Sequence, residues 1–237
     1  MAKVSVVAAG GSLLYDGPEI NHNWLAELVA CIGEFTSKGN TLGLVIGGGY
    51  LARQGISSAK KAGITDVHEL DLIGIAATRV NAAGVKDALR ASGVGASDEI
   101  PETIEEAAAL FSHNSVVVMG GTVPGHTTDA VSIGLAIAVE AESCTIATNV
   151  DFIYDSNPKT NPDAVPISRL NLTQLQAIVG PPSHAGAGPN VIIDPIGVQL
   201  AIDNNLALSL LNGGDVANLA ACLAGESFTG SVVEVLS

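Results

Sequence analysis

A short apolar run that ends in a glycine-rich turn occurs at three places in this chain, and this pattern most constrains its fold. The run Ser115-Val116-Val117-Val118 leads into Met119-Gly120-Gly121, and an Ala/Val/Ile segment that looks helical follows. The other two turns are Gly10-Gly11-Ser12 and Gly47-Gly48-Gly49. A strand, a glycine turn and a helix start in this order present free backbone N–H groups at the positive end of a helix, where anions bind. The three turns therefore predict one phosphate-binding face at the ends of strands.

Strand-like and helix-like segments alternate along the whole chain without a linker or a repeat. Apolar runs predict strands over 4–9, 41–46, 115–118, 144–147, 206–211 and 231–235. Periodic segments predict helices over 23–38, 50–62, 66–91, 127–141, 170–179 and 216–224, with further helix starts at 98–103 and at Asp194-Pro195. Aromatic residues are only 3% of the chain, so its core must be aliphatic, which suits a sheet covered by helices. We expect one α/β domain over 1–237, a three-layer α/β/α sandwich with a mainly parallel sheet.

The net charge and the cysteines limit the classes of function. A formal charge of −14 with only ten Lys and Arg residues argues against a nucleic-acid or acidic-membrane surface. A phosphate enzyme of this composition must use backbone N–H groups, a divalent metal and a few cations. Cys31, Cys144 and Cys222 lie in apolar contexts without metal-ligand spacing, which predicts buried thiols in a reducing compartment. No stretch approaches ~20 uninterrupted apolar residues and no signal-like segment opens the chain, so we expect a cytoplasmic protein.

Several polar residues stand where a ligand could meet them. Arg53 lies one turn into the helix that follows the second glycine turn, where it could reach back to an anion or remain a solvated surface arginine. Asp71, Thr78 and Asn81 interrupt a mostly apolar helix, and polar groups there need partners in an interface or a ligand. A carboxylate such as Asp71 can accept two hydrogen bonds from a ribose diol. The 180–190 loop is a candidate lid or a connector.

Taken together, these motifs resemble the amino acid kinase superfamily and, within it, the archaeal type of UMP kinase. The most specific of them is Gly120-Gly121-Thr122-Val123-Pro124-Gly125-His126-Thr127-Thr128-Asp129. The others are Gly10-Gly11-Ser12, Gly47 to Arg53, Asp71 to Ile75, Thr78 to Ala82, Thr148 to Asp151 with Tyr154, and Asp194-Pro195. No single glycine turn would identify a family, but the ordered set covers nearly the whole chain.

The resemblance implies a Mg²⁺-dependent transfer of the ATP γ-phosphoryl group to UMP, giving UDP for pyrimidine nucleotide synthesis, and a hexamer assembled from dimers. It implies that the N-terminal part binds the acceptor and that the part from about residue 144 binds ATP. The implied UMP residues are Gly48, Asp71, Thr122, Val123, Pro124, Gly125, His126, Thr127 and Thr128. The implied ATP residues are Gly10, Gly11, Ser12, Gly49, Arg53, Thr148, Asn149, Tyr154 and Asn157. Asp129 would organise the cations around the transferred group, with Arg53 as its catalytic partner and Mg²⁺ held mainly through the ATP phosphates.

The acceptor phosphate would be its own nucleophile, so no catalytic base is required, and His126 is expected to bind ligand or support structure. Some positions depart from the family pattern. Ala8 and Ala9 stand where many members carry a lysine, Tyr50 replaces another, and Asn157 replaces a common aspartate. Phe152 replaces a glycine, which could reshape the adenine loop.

The transition-state charge would therefore fall to Mg²⁺, Arg53 and backbone N–H groups, with Lys159 and Lys3 as further candidates. Two alternatives remain open. One is another kinase of the superfamily, acting on an isoprenoid phosphate, a carbamate or an amino acid. The other is a nucleotide sensor without catalysis.

Overall fold

The computed structural model describes residues 2–158, 160–183 and 192–235, and a seven-stranded sheet forms its centre. The strands are β1 (Val4–Ala9), β2 (Tyr15–Asp16), β3 (Glu19–Ile20), β4 (Thr41–Ile46), β5 (Val116–Met119), β6 (Ser143–Thr148), β7 (Ile153–Tyr154), β8 (Pro166–Ile167), β9 (Arg169–Asn171), β10 (Ala207–Asn212) and β11 (Ser231–Glu234). The sheet order is β5-β4-β1-β6-β10-β11-β9, while β2/β3 and β7/β8 form two small hairpins. Within the seven-stranded sheet, neighbouring strands are parallel except β10 and β11, which confirms the mainly parallel sheet.

Eight helices pack around the sheet among the described residues. They are α1 (His22–Ser37), α2 (Gly49–Lys61), α3 (Val67–Ala91), α4 (Ile104–Leu110), α5 (Thr128–Ala138), α6 (Leu172–Val179), α7 (Pro195–Asp203) and α8 (Val216–Ala224). Side chains alternate across each strand, so Val6 and Val45 enter one apolar core while Val7 and Leu44 enter the other. Helices α1, α3 and α8 supply the second core, and α4 to α7 supply the first. The sheet is therefore buried on both faces, as predicted for a three-layer sandwich.

Local sequence explains several helix starts. Asp194 accepts a hydrogen bond from the N–H of Ile196 and precedes Pro195 at the first position of α7, which confirms the predicted cap. Thr127 caps α5 through the N–H of Ala130. These caps fix where the loops before α5 and α7 end.

Two predicted helix starts were wrong, and the helix predicted over 127–141 ends at Ala138. The helix expected to begin within 98–103 begins at Ile104, because Thr103 is its cap and accepts from the N–H of Glu106. The helix expected from 170 begins at Leu172, because Leu170 pairs with Val233 of β11 and is part of edge strand β9. Tertiary pairing decides this boundary, and the local pattern does not reveal it. The two hairpins were not predicted.

No helix in the described ranges is long and apolar enough to span a membrane. Cys31, Cys144 and Cys222 are all free thiols; Cys144 is buried, as predicted, whereas Cys31 and Cys222 are partly exposed.

Candidate active site

The three glycine turns lie side by side at one edge of the sheet. Because β5, β4, β1 and β6 are parallel neighbours, their carboxyl ends meet there in that order. The N–H of Gly47 donates to Ala9 O (2.9 Å), and the N–H of Gly10 donates to Ala147 O (2.8 Å). The edge therefore runs from the turn after β5, through those after β4 and β1, to Thr148.

The turns after β1 and β4 are in direct backbone contact. A Cβ atom on Gly11 would lie 2.3 Å from Gly47 O and 2.3 Å from Gly49 N, and one on Gly49 would lie 2.1 Å from Gly11 O. Gly49 also has a φ of +55°, in the left-handed region that favours glycine. Only glycine permits this approach, which brings the predicted ATP turn and the start of α2 together.

A cavity of about 730 Å³ opens on the β4 and β5 side of this contact. It brings together seven of the predicted residues, which are Gly48, Gly49, Arg53, Asp71, His126, Thr127 and Thr128. Ser57, Lys60 and Lys61 of α2 also line it. Sequence reasoning missed these three residues, although positions four, seven and eight residues after Arg53 lie on one helix face.

Asp71 is hydrogen-bonded to the loop between β5 and α5. Its Oδ2 accepts a hydrogen bond from the N–H of Gly125 at 2.9 Å, although the side chain is itself mostly buried. Gly125 has a φ of +89°, as the tight turn through Thr122, Val123 and Pro124 requires. The predicted loop residues therefore lie over α3 beside the cavity, and of the loop before His126 only Gly121 lines it.

Thr78 and Arg79 of α3 hold the turn after β5. Thr78 Oγ1 accepts from the N–H of Gly121 at 2.7 Å, and Arg79 donates to Gly121 O and Thr122 O at 3.2 Å each. Arg79 also pairs with Glu102 at 2.7 Å. The polar residues of the apolar helix thus have backbone partners in the glycine turns.

A second cavity of about 370 Å³ lies at the end of β6. It brings together four predicted ATP residues, Thr148, Asn149, Tyr154 and Asn157. Ile178, Val179 and Ile192 add an apolar wall that sequence reasoning missed, because they lie on α6 and before α7, far along the chain. Gly10, Gly11 and Ser12 line neither cavity and lie between them.

Asp129 lies in the first turn of α5, directly after Thr128, which lines the first cavity. Burial raises its pKa to about 7 from 3.8, repulsion by Asp194 adds to the shift, and a nearby backbone N–H of Asp194 opposes it. Asp194 itself is anchored, since its Oδ2 accepts from Thr127 Oγ1 at 2.7 Å. The pKa of Cys144 in β6 is raised to about 12, mainly by burial and to a lesser degree by the charge of Asp129. The Asp129 carboxyl therefore lies near Cys144 of β6, and a cation beside it would favour its ionised form.

The side chains predicted to neutralise phosphate differ in their distance from the cavities. Arg53 is exposed at the first cavity and has no ion-pair partner in the described part of the chain. The suggestion for Lys3 was wrong, because it precedes β1 at the opposite edge of the sheet, where its Nζ donates to Ala224 O at 3.4 Å. Lys159 and the 184–190 part of the predicted lid lie outside the described residues. Within the described ranges, no group of three His, Cys, Asp or Glu side chains could hold a metal ion alone.

Known proteins resemble this chain in sequence and in architecture. A uridylate kinase from Archaeoglobus fulgidus is 37% identical over 228 residues, covering 96% of this chain and 98% of the relative. One from Methanococcus maripaludis strain C6 is 36% identical over 195 residues, covering 82% of this chain and 84% of the relative. The crystal structure of uridylate kinase from A. fulgidus superposes with a TM-score of 0.83 at 35% identity, covering 98% of this chain and 99% of that one.

A more distant structure, UMP kinase from Bacillus anthracis, has a TM-score of 0.79 at 22% identity, with 98% and 96% covered, and supports the fold alone. The family model for the amino acid kinase family matches residues 3–212. With the sheet, the ordered glycine turns and these relatives in agreement, the chain belongs to the amino acid kinase family.

Proposed function

We propose that this chain is a UMP kinase, which transfers the γ-phosphoryl group of ATP to UMP and yields UDP and ADP for pyrimidine nucleotide synthesis. The observation that carries the proposal is the pair of cavities separated by two touching glycine turns at one sheet edge. One cavity has a carboxylate and a hydroxyl-rich helix start suited to a nucleotide acceptor, and the other has an apolar wall suited to a base. The archaeal relatives named uridylate kinase support UMP as the acceptor.

In this proposal the protein positions two phosphates and neutralises charge, and it needs no covalent intermediate. Thr127 and Thr128 at the start of α5 would hold the UMP phosphate, Gly48 would line the UMP site, and Asp71 would accept from the ribose hydroxyls. Mg²⁺ would neutralise the ATP phosphates when bound, and its hard-oxygen preference fits phosphates beside the Asp129 carboxylate. Arg53 would face the transferred group.

The proposal is tested by a coupled assay for ADP release with UMP, CMP and isopentenyl phosphate as acceptors. UMP should be preferred. A preference for isopentenyl phosphate would reassign the acceptor, and nucleotide binding without ADP release would make the protein a sensor.

We expect Asp71→Asn to raise the KM for UMP about 10- to 100-fold, because a charge-assisted hydrogen bond to the ribose is worth roughly 1.5–3 kcal/mol. The KM for ATP should stay within about twofold, since Asp71 lines only the first cavity. Steady-state kinetics with each substrate varied in turn measures both constants. Asp87→Asn is the matched control, because Asp87 is an exposed carboxylate on the same helix. Equal losses for both substrates would remove Asp71 from the acceptor site.

Removing divalent metal with excess EDTA should reduce activity at least about 100-fold, because Mg²⁺ supplies several kcal/mol of charge stabilisation in such reactions. The chain offers few substitutes, with ten Lys and Arg residues in total. Added Mg²⁺ should restore activity, and the melting temperature of the nucleotide-free protein should not change in EDTA. Activity that persists undiminished in EDTA would contradict this prediction.

The proposed assembly is a hexamer built from dimers. Val67, Leu72 and Val80 are large apolar side chains of α3 that are about half exposed in the single chain, which supports a partner surface there. Light scattering of the purified protein measures the assembly directly.

A further inference from the structure

Asn81 of α3 connects two segments that are distant in sequence. Its side chain is buried, with 3% of its surface exposed. Its Nδ2 donates to Gly47 O at 2.8 Å and to Gly48 O at 3.1 Å. Its Oδ1 accepts from the hydroxyl of Tyr15 at 2.7 Å. One amide therefore contacts both the turn after β4 and the hairpin that follows the turn after β1.

The two carbonyl contacts determine where the N–H groups of the turn point. In a trans peptide unit, the C=O of one residue and the N–H of the next point in opposite directions. Since Asn81 holds the carbonyls of Gly47 and Gly48, the N–H groups of Gly48 and Gly49 must point away from α3. Gly49 N lies close to Gly11, since a Cβ added to Gly11 would be 2.3 Å from it. No acceptor within residues 2–158, 160–183 and 192–235 takes the N–H of Gly11, Gly48 or Gly49.

The peptide units of the turn after β4 need a contact that fixes their direction, because the glycines themselves do not restrict it. Three successive glycines can rotate their peptide units at little cost. The Gly48 carbonyl also accepts the first helical hydrogen bond of α2, from Ala52 N–H at 3.1 Å, whereas Asn81 is the partner of the Gly47 carbonyl. Without Asn81 the Gly47 carbonyl would lose this bond, and rotation of that peptide would turn the N–H of Gly48 out of the cleft.

Tyr15 sets the orientation of the amide. Its hydroxyl donates to Oδ1, which leaves the two Nδ2 hydrogens for the carbonyls of Gly47 and Gly48. The Tyr15 ring also contacts the ring of Tyr50 at the start of α2, with centroids 5.9 Å apart. The hairpin of β2 and β3 is therefore tied to both α3 and α2.

We propose that Asn81 is a positioning residue for phosphoryl transfer. It holds the N–H groups of Gly48 and Gly49 towards the transferred phosphate, and Tyr15 fixes its amide. This inference rests on the proposed function. It assigns Asn81 no contact with either nucleotide, so its loss should affect turnover and leave substrate binding largely unchanged.

The test is Asn81→Asp, which keeps the shape and the acceptor for Tyr15 but removes both N–H donors at pH 8. We expect kcat to fall about 30- to 100-fold, with the KM values for UMP and ATP within about threefold. The reason is that the N–H donors stabilise mainly the transition state, and this stabilisation is lost when they point elsewhere. Asn40→Asp is the matched control. Asn40 likewise donates to a backbone carbonyl, Phe35 O, and accepts a backbone N–H, from Lys3, but it precedes β4 at the far edge of the sheet. Its kcat should stay within about twofold of the wild type.

Three results would overturn the inference. These are an unchanged kcat in Asn81→Asp, a rise in KM with kcat unchanged, and a loss of kcat in Asn40→Asp that equals that in Asn81→Asp. If Asn81→Asp does not fold, Tyr15→Phe decides, since it removes a single hydroxyl. It should lower kcat about three- to tenfold at an unchanged KM, and a wild-type kcat there would refute the inference. A wild-type protein that makes no UDP would refute the proposed function itself, whereas an active wild type with unaffected variants would refute only the assignment of Asn81.

Discussion

Replacing Asp129 with asparagine should lower turnover at least about 100-fold, a loss typical of removing a preorganised electrostatic contact to a transition state. The substitution keeps the shape of the side chain and removes only the charge. Asp129 is the carboxylate at the start of α5 that lies near Cys144 of β6 and follows Thr128 of the first cavity. If it organises Mg²⁺ and Arg53 around the moving phosphoryl group, an amide cannot replace it.

The same substitution should make the nucleotide-free protein more stable at neutral and alkaline pH. The pKa of Asp129 is about 7 in the folded chain and about 3.8 in an ordinary environment, so the folded state retains a proton that the unfolded state releases. The penalty for ionising Asp129 is absent below pH 4, grows between pH 4 and 7, and is constant above. Asp129→Asn should therefore raise the free energy of unfolding by about 1–3 kcal/mol above pH 7 and leave it unchanged below pH 4. The increase is smaller than the full pKa shift would give, because the Asp129 side chain is partly exposed.

Chemical denaturation at pH 4, 6 and 8 in EDTA measures the free energy of unfolding, and the ADP assay measures turnover. Glu142→Gln is a control for loss of an exposed negative charge and should change neither quantity. A variant with near-normal turnover would remove Asp129 from the mechanism. A variant that is less stable than the wild type at pH 8 would show that its charge is satisfied in the empty site.

Such a gain in stability would show that the ionised Asp129 carboxylate destabilises the nucleotide-free protein. Asp129 and Asp194 lie close enough to repel, and Asp194 is required where it is because it caps α7 and holds Thr127. The positive ends of α5 and α7 partly offset the repulsion between the two carboxylates in the nucleotide-free protein. Bound cations would stabilise both ionised carboxylates. The site is thus arranged for the loaded state.

Much of the fold was predictable because local pattern and burial agree. The predicted bounds of β1 and β4 match the structure residue for residue, since each is a buried apolar run that ends at glycine. Edge strand β9 was mistaken for a helix start, because a three-residue strand carries no period of its own and exists through its pairing with β11. The short hairpin strands β2 and β3 were not predicted for the same reason.

The site was only partly predictable. The glycine turns and Asp71 are conspicuous in the sequence, and their roles with substrates stay predictions. The order of the turns across the sheet follows from strand order, which no local motif contains. Asn81 contacts a turn 34 residues away, and Thr127 meets Asp194 at a separation of 67. Such contacts become visible only when the sheet brings distant loops to one edge.

The contact between the first two glycine turns leads to the second large expected effect. Gly49→Ala should abolish measurable turnover, a loss of at least about 100-fold, because misplacing reacting groups by about 1 Å costs that much. The added Cβ would lie 2.1 Å from Gly11 O and 2.4 Å from Gly11 C. Both atoms belong to backbone, so no side chain can rotate away, and the turns after β1 and β4 must separate. The ATP and UMP phosphates would then separate with them.

Gly93→Ala is the control that separates the effect of backbone strain from the effect of the steric clash. Gly93 also has a positive φ, +81°, but no atom lies within 4 Å of an added Cβ, and it follows α3 at the opposite edge of the sheet. Both variants should lose roughly 1 kcal/mol from the left-handed backbone, while only Gly49→Ala should lose activity. Gly11→Ala, which meets Gly47 O and Gly49 N at 2.3 Å without a positive φ, should resemble Gly49→Ala in turnover. If Gly49→Ala and Gly93→Ala lowered the melting temperature equally and both retained turnover, the two turns would not need their observed spacing.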